Sequence, residues 1–442
     1  MSGNVVVTIS VILAQNKVES MKAQLLTAAA ASTILVTGVG AASAQVMDTQ
    51  SQRNVGVLDR PRPDYDAAGL RAGAFIILPR LTTTLDFDDN IYAGSTAKTS
   101  DTVVLLQPEV TVRSDWSRNM IEGYARATFN EYASHSSENT TEFEVRGDGR
   151  YDIAEDSNLN AGVRYARLME PRYLSTTTQD VRHPVQYDLS GLNFGGVDTF
   201  NRLRLIGNVQ LLQYSYDNAQ NLLGQSVLEK DRDRTEWVET GRVEYAYSPD
   251  TALFVSGSLN QRNYRLQPPA ALFDRTSSGY DLTAGARVDL SHLARGEFAV
   301  GYLNQDYNSS VFQSVSGLSL HGKVDFFATP LTTVTLVADR AVGDAADPRS
   351  SGYLTTNGGV EVDHELMRNV ILLAKASYGH DEYKGIQRTD DRWNARLGAT
   401  YLVNRNVGVS VYYDYVDISS SGNDRINSYK VNKLLVSLVL QR

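Results

Sequence analysis

Residues 142–153 read Glu-Phe-Glu-Val-Arg-Gly-Asp-Gly-Arg-Tyr-Asp-Ile, and their regular alternation points to one type of structure. Every even position carries a charged side chain, and every odd position carries an apolar residue or a glycine. A period of two places successive side chains on opposite faces of a β-strand. The stretch therefore predicts a strand with one densely charged face and one apolar face.

The same alternation recurs along the chain from residue 73 onward. Clear examples are residues 75–87, 104–112, 280–290 and 393–401. The runs are about 10–14 residues long, close to the 9–11 residues that a tilted strand needs to cross a bilayer. Helical spacing is not sustained anywhere beyond the N-terminal region. Long strands with one charged and one apolar face are typical of membrane barrels.

The connections between these runs alternate between short turns and longer polar segments. Eight short turns and nine longer segments make seventeen connections, and hence eighteen strands. This alternation is the pattern of an up-and-down barrel with periplasmic turns and extracellular loops. We predict an all-β fold, a transmembrane up-and-down antiparallel β-barrel of about eighteen strands over residues 72–442. Sixteen strands is the alternative, because residues 189–197 and 353–362 alternate weakly.

A soluble β-propeller is the competing all-β fold. The short turns recur about every 41 residues, a period that also fits a propeller blade. Propeller strands, however, are usually near the modal length of about 5–6 residues. The sequence also lacks the Trp-Asp dipeptide that marks many blades. The strand length therefore favours the membrane barrel.

The composition excludes several classes of protein and site. The 442 residues include no cysteine, which removes disulfides, thiolate nucleophiles and cysteine-ligated metals. The net charge of -9 argues against nucleic acid as a partner. Tyrosine is twice as frequent as phenylalanine, with 24 residues against 12. Many of these tyrosines lie near the ends of alternating runs, where membrane barrels carry aromatic girdles.

The N-terminal region reads as an export signal. From Met21 a lysine is followed by an apolar run and then by Ala42-Ser43-Ala44, an arrangement typical of a secretory signal peptide. We therefore assign residues 1–44 to the signal region, with cleavage after Ala44 and with Met21 as the expected start of translation. Residues 45–71 are polar and are predicted to form a flexible periplasmic segment.

Three short motifs give the chain a family resemblance. They are Gly73-Ala74-Phe75, Phe87-Asp88-Asp89-Asn90-Ile91-Tyr92 and Leu106-Gln107-Pro108-Glu109-Val110. Together they resemble the start of the putative beta-barrel porin type 2 family of Gram-negative bacteria. The resemblance implies an integral outer-membrane barrel over essentially the whole mature chain. It also implies a link to exopolysaccharide secretion, because some relatives are thought to supply the pore for periplasmic polysaccharide-export proteins.

One departure from outer-membrane barrels concerns the last residue. Such barrels usually end on an aromatic residue that the barrel assembly machinery reads, whereas this chain ends on Arg442. The last run still alternates, with leucine or valine at residues 434, 436, 438 and 440. We therefore still expect outer-membrane lipid and the assembly machinery as partners.

The polar faces of the predicted strands supply the candidate functional residues. Charge on the lipid face of a barrel costs about 2–4 kcal/mol per Arg or Lys at the midplane, so these faces should point inward. Their signs are mixed, so no strong ion selectivity is predicted. The predicted pore-lining residues are Glu122, Tyr124, Arg126, Glu144, Arg146, Asp148, Arg150, Arg164, Arg242, Glu244, Asp281, Arg287, His321, Lys323, Asp325, Arg392 and Arg396.

Two further patterns resemble sites of chemistry. Residues 86–90 place oxygen side chains at a spacing of two, but Ile91 and Ala97 stand where an EF-hand needs Gly and Glu. Ser319 and His321 share one strand face, as a hydrolase pair would, but side chains two apart often do so by chance. We therefore predict no enzyme activity, no cofactor and no metal site.

The predicted function is an aqueous passage across the outer membrane. Barrels of 16–18 strands enclose a channel rather than a packed core. Export of a polysaccharide, with a periplasmic export protein as partner, follows from the family resemblance alone. A general diffusion porin is the first alternative, and its pore would need a long inward-folding loop such as 169–185 or 217–235. A structural or adhesive barrel without transport is the second alternative.

Overall fold

A computed structural model describes residues 55–174, 177–178, 181–290 and 293–442. These residues form one closed antiparallel barrel of eighteen strands. The predicted signal region and residues 45–54 lie outside the described residues. Within the described ranges, no helix is long and apolar enough to cross a membrane.

The eighteen wall strands are 12 to 16 residues long. They are β1 (Phe75–Asp88), β2 (Asp101–Ser114), β3 (Met120–Tyr132), β4 (Thr140–Ala154), β5 (Ser157–Met169), β6 (Gln186–Phe200), β7 (Leu203–Tyr216), β8 (Arg234–Ser248), β9 (Thr251–Tyr264), β10 (Ser277–Leu290), β11 (Ala294–Tyr307), β12 (Val315–Thr329), β13 (Thr332–Gly343), β14 (Gly352–Met367), β15 (Val370–Lys384), β16 (Thr389–Leu402), β17 (Val407–Ser421) and β18 (Tyr429–Gln441).

Each strand pairs with its neighbours in sequence, and β18 closes the barrel on β1. The closing register runs from Arg80 opposite Gln441 to Asp88 opposite Lys433. Connections of two to five residues join the strands at the end that holds the C-terminus, and connections of four to seventeen residues join them at the other end. Following the predicted orientation, we call these the periplasmic end and the extracellular end. The prediction of eighteen strands is confirmed.

Nine extracellular connections are named L1 to L9 in chain order. They are L1 (89–100), L2 (133–139), L3 (170–185), L4 (217–233), L5 (265–276), L6 (308–314), L7 (344–351), L8 (385–388) and L9 (422–428). Two of them contain a single 3₁₀ turn, Ser136–Glu138 in L2 and Lys230–Arg232 in L4. A small hairpin of Ala219–Gln220 and Ser226–Val227 projects within L4.

The two weakly alternating stretches are full wall strands. Residues 189–197 lie in β6 and residues 353–362 lie in β14. Their apolar pattern is interrupted by glycines, including Gly195, Gly196, Gly358 and Gly359. A glycine adds nothing to the hydrophobic pattern, yet its backbone pairs in the ladder like any other residue. The alternative of sixteen strands is therefore wrong.

Apolar side chains cover the outside of the barrel. Val163, Phe194, Val255 and Leu397 are more than half exposed, although they lie in the middle of paired strands. Apolar residues in the middle of a soluble sheet would be covered by a core. An apolar outer band of this kind suits contact with lipid.

The segment before β1 packs against the inside of the barrel. Residues 70–72 pair with the start of β1, and residues 55–68 run along the inner rim of the periplasmic end. Val57 and Arg62 in this segment are completely buried. This part of residues 45–71 therefore differs from the flexible segment that its polar composition predicted. The composition misleads because the partners of these polar groups lie on the barrel wall, far away in sequence.

Candidate functional site

The inner wall of the barrel is the candidate site. All seventeen predicted pore-lining residues lie on it. On each strand they alternate with the exposed apolar residues, so the two sets of side chains point to opposite faces of the wall. Arg242 on β8 shows this directly, since it contacts Glu297 on β11 at 2.8 Å. Two strands separate β8 from β11, and the contact reaches over them on the concave side.

The first group of ion pairs lies on β3, β4 and β5. Glu144 accepts a hydrogen bond from Arg126 at 3.2 Å and pairs with Arg164 at 2.9 Å. Arg146 pairs with Asp148 at 3.0 Å and lies over the ring of Tyr124 at 5.0 Å. The Arg146 and Arg164 side chains nevertheless remain 37% and 39% exposed. This part of the wall is therefore open to water.

Glu122 of β3 and Arg150 of β4 complete this part of the wall. Glu122 lies 3.9 Å from Arg146, and Arg150 pairs with Asp152 at 2.9 Å. Acidic and basic side chains thus alternate across the strands rather than forming a patch of one sign. Opposite charges on neighbouring strands stabilise the pairing of those strands.

The second group centres on Glu244 of β8. Its carboxylate is 2% exposed and lies 2.7 Å from Arg242, 3.3 Å from Arg287 and 3.9 Å from Arg204. Three guanidinium groups from three different strands therefore converge on one buried carboxylate. Arg242 also stacks on Phe254 at 3.6 Å from the ring centroid. This group ties β7, β8, β9 and β10 together.

A third group lies on the strands near the C-terminus. Arg392 pairs with Asp381 at 2.9 Å, and Arg396 pairs with Asp414 at 2.5 Å. Elsewhere on the wall, the carboxylate of Asp325 accepts a hydrogen bond from Thr335 at 2.7 Å. In the β-ladder, Lys323 lies opposite Glu297 on β11 and Val337 on β13.

Ser319 and His321 lie in a cluster with two carboxylates. His321 Nδ1 is 2.8 Å from Asp339, and Nε2 is 3.0 Å from Asp281. The Ser319 hydroxyl donates to Asp281 at 2.9 Å and lies 3.1 Å from His321 Nε2. A ring with a carboxylate at each nitrogen is suited to donate from both, so it has no free lone pair to act as a base. Ser319 is also 0% exposed, which closes it to a substrate.

A glycine of the intervening strand lies beside this cluster. Ser319 on β12 and Asp281 on β10 lie on either side of β11, where Gly301 is opposite both Ser319 and Thr283. A Cβ atom at Gly301 would clash with the Leu282 carbonyl oxygen. Glycine therefore allows β10 and β11 to approach closely at this level of the wall.

Loop L3 folds into the barrel. Arg172 of L3 pairs with Glu138 of L2 at 2.7 Å and lies over Tyr92 of L1 at 5.4 Å. The ring of Tyr173 lies 4.9 Å from Lys433, a luminal residue of β18. L3 leaves the wall at β5 and β6, so it crosses part of the lumen to reach β18. L3 therefore folds inward, as the diffusion-porin alternative requires of residues 169–185 or 217–235.

Loops L4, L5 and L7 meet in a second inward cluster. Asp344 of L7 accepts hydrogen bonds from Arg275 of L5 at 2.8 Å and from the Tyr264 hydroxyl at 2.5 Å, and pairs with Arg234 at 3.3 Å. Burial alone would raise the pKa of Asp344, but the arginines lower it well below its usual range. In L4, Arg232 pairs with Glu170 of L3 at 2.6 Å, which joins the two clusters.

Sequence reasoning missed most of the luminal tyrosines. It identified Tyr124, whereas the inner wall also carries a larger buried set. The missed tyrosines are Tyr187, Tyr214, Tyr216, Tyr264, Tyr383 and Tyr429. The signal that could have found them is parity, because Tyr214 and Tyr216 are in phase with the luminal Arg204 of the same strand.

Arginines cover the faces of several of these tyrosines. Arg232 lies 4.2 Å from the ring of Tyr216, and Arg234 lies 4.1 Å from that of Tyr214. Tyr187 stacks on Tyr216 with ring centroids 5.0 Å apart. A ring face that is covered in this way offers no stacking surface to a sugar. The tyrosines therefore fix the loops to the wall, as cation–π contacts do elsewhere.

The chain is similar to one known family and to several solved structures. The sequence model of the family described as "Putative beta-barrel porin 2" matches residues 62–442. A search of curated protein sequences found no match. Among solved structures, the chain is similar to a mutant of the ferric enterobactin receptor of Pseudomonas aeruginosa, with a TM-score of 0.45, 6% identity and coverage of 85% of this chain and 81% of that one.

The chain is also similar to the outer-membrane protein opdK of Pseudomonas aeruginosa. The TM-score is 0.41, the identity is 13%, and the alignment covers 83% of this chain and 99% of that one. Identities and TM-scores this low carry no argument about function.

Proposed function

The chain belongs to the putative beta-barrel porin 2 family, and from this premise we propose that it forms an aqueous passage across the outer membrane for small hydrophilic solutes. The observation that carries the proposal is a charged inner wall that stays open to water below an inward-folded L3. The charged wall provides a polar path, and L3 limits the size of the solutes that can pass along this path.

The polar path is supported by the exposure of luminal charges. Arg146, Arg164 and Lys375 have side chains 37%, 39% and 41% exposed, although all three point into the barrel. In a barrel filled by its own side chains these groups would be covered. Eighteen strands leave room for water, because porins of 16–18 strands enclose a channel.

The size limit is supported by the contacts of L3. Arg172 and Tyr173 fix this loop to L2 and to β18, so it occupies lumen that the wall alone would leave open. The charges that remain exposed are of both signs and lie in pairs. We therefore infer selection by size and polarity rather than by the sign of the charge.

Export of a polysaccharide is the second candidate, and family membership is what favours it. A periplasmic export protein would then be a partner, and the polymer would have to pass L3. The arginine-covered tyrosines speak against a ladder of stacking sugar rings. A structural or adhesive barrel without transport is the third candidate, and it would apply if the loops closed the lumen fully.

One set of measurements separates these candidates. A clean deletion strain is tested for uptake of small hydrophilic solutes and for surface and secreted polysaccharide, and the purified barrel is tested for conductance in a planar bilayer. We expect reduced uptake, unchanged polymer and a measurable conductance. Loss of polymer with the periplasmic machinery intact would instead establish export. No conductance and no change in the deletion strain would leave the structural role.

A further inference from the structure

Residues 55–68 form a strap along the inside of the periplasmic mouth. Wall side chains donate hydrogen bonds to its backbone carbonyls: Gln441 to Tyr65 at 3.3 Å, Arg405 to Pro63 at 2.7 Å and Arg368 to Pro61 at 3.0 Å. These donors come from β18, the β16–β17 turn and the β14–β15 turn in order. The strap thus follows the inner rim from β18 back toward β12.

The centre of the strap is held by an ion pair. Arg62 donates to Glu365 of β14 at 2.9 Å, and Arg60 donates to the same carboxylate oxygen at 3.2 Å. Arg62 is 1% exposed, so this pair is shielded from water. Removal of Glu365 would leave the buried Arg62 guanidinium without its carboxylate, which strongly disfavours the docked strap. Arg62 and Glu365 therefore form the latch of the strap.

The far end of the strap lies in an apolar socket. Val57 is 0% exposed and packs with Ile371 and Leu402, which have the luminal parity of Lys375 and Arg396 on the same strands. Its backbone N–H donates to the Thr333 hydroxyl at 2.9 Å. The strap therefore occupies space inside the mouth and does not lie on the outer surface.

The strap is not part of the β-ladder. Its middle reads Arg60-Pro61-Arg62-Pro63, and proline has no N–H to donate to a neighbouring strand. Gly69 and Gly73 flank the short paired segment Leu70–Ala72, with φ of +73° and +60°, values that favour glycine. The strap can therefore leave the wall by turning at these glycines without breaking any pair between wall strands.

From these contacts we propose that the strap is a gate at the periplasmic mouth, closed while Arg62 is paired with Glu365 and opened when the pair is broken. The inference rests on the proposed function, since a gate needs a passage. The docked strap reduces the open cross-section of the mouth over the strands from β13 to β18. Its release enlarges the passage while the barrel wall stays intact.

The first test measures single-channel conductance of the full-length protein in planar bilayers. Arg62→Ala and Glu365→Gln should each raise conductance by roughly 1.5-fold, because release widens the mouth while the L3 constriction stays in series. Arg71→Ala is the matched control, because Arg71 pairs with Asp115 outside the strap and its side chain is 67% exposed. Chymotrypsin cleavage after Tyr65 reports whether the strap has left the wall.

The second test locks the strap in place. The chain has no cysteine, so Val57→Cys with Ile371→Cys introduces a single possible disulfide between groups that pack together. The oxidised protein should keep the low conductance even when Glu365→Gln is added, and reduction should then restore the higher value.

Each outcome bears on a different claim. If the wild type conducts but the latch variants match it, the gate is refuted, whether or not chymotrypsin reaches Tyr65. If the locked and reduced proteins conduct equally in the Glu365→Gln background, the gate is refuted as well. If neither the wild type nor any variant conducts, the proposed passage itself fails.

Discussion

At the level of single residues, the cluster around His321 tests whether the barrel has any catalytic role. Both ring nitrogens face carboxylates and the neighbouring serine is closed to solvent, so we expect Ser319→Ala and His321→Ala to leave solute uptake and polymer secretion unchanged. Uptake in the deletion strain complemented with each variant is the measurement. Loss of function in a normally assembled variant would support a hydrolase.

A second prediction at this scale compares two glutamates of β8. Glu244 faces the lumen among three arginines, whereas Glu239 faces outward between Val209 and Leu259. Glu244→Leu should destabilise the barrel by about 3 kcal/mol, because three partly buried guanidinium groups lose the carboxylate that they share. Glu239→Leu should stabilise it, because a carboxylate on the lipid face is replaced by an apolar group.

Guanidinium unfolding of both variants in lipid vesicles measures this difference. The comparison is well matched, since the two positions lie on one strand five residues apart and receive the same substitution. Equal effects of the two changes would mean that β8 does not have one luminal and one lipid face.

At the level of strands and loops, Asp344 controls how L7 is held. Its pKa lies below the ordinary value of about 3.9. Its ion pairs therefore contribute their full stability at pH values above about 3.9, and this stability is lost as the pH falls below that value. We expect L7 to stay docked between pH 7 and pH 5 and to loosen below about pH 4. Asp344→Asn should loosen it at every pH.

The measurement is conductance noise of the purified barrel as a function of pH. Asp347→Asn is the control, because Asp347 lies in the same loop but pairs with Arg349 at the surface. Identical noise in Asp344→Asn and the wild type at pH 7 would show that this carboxylate does not hold the loop.

The elements themselves were predictable from period and parity. Alternation in runs such as residues 142–153 fixes both the strand and the face of each side chain, so the predicted luminal residues lie together on the inner wall. The direction of L3 and the docking of residues 55–68 were not predictable. Both depend on pairs such as Tyr173 with Lys433 and Arg62 with Glu365, which join positions hundreds of residues apart.

At the level of the whole molecule, closure of the barrel determines whether the protein is stable in lipid or in water. The β1–β18 pairing leaves no free edge strand among the described residues, so the backbone groups of the wall are satisfied within the sheet and the apolar outer face can meet lipid. The alternative is a soluble product, and it would expose that whole band to water. Exposed apolar areas of this size drive soluble proteins to aggregate.

We therefore expect the protein in the outer-membrane fraction, with a folded form that migrates faster than the boiled form on denaturing gels. Migration differs because a closed ladder resists detergent until heat separates its strands, whereas a soluble β-protein unfolds in detergent without heating. Replacing residues 433–441 with glycines and serines should remove the fast form, since these residues make the closing pairs with β1. A soluble periplasmic product, or a fast form that persists without the closing strand, would contradict the closed barrel.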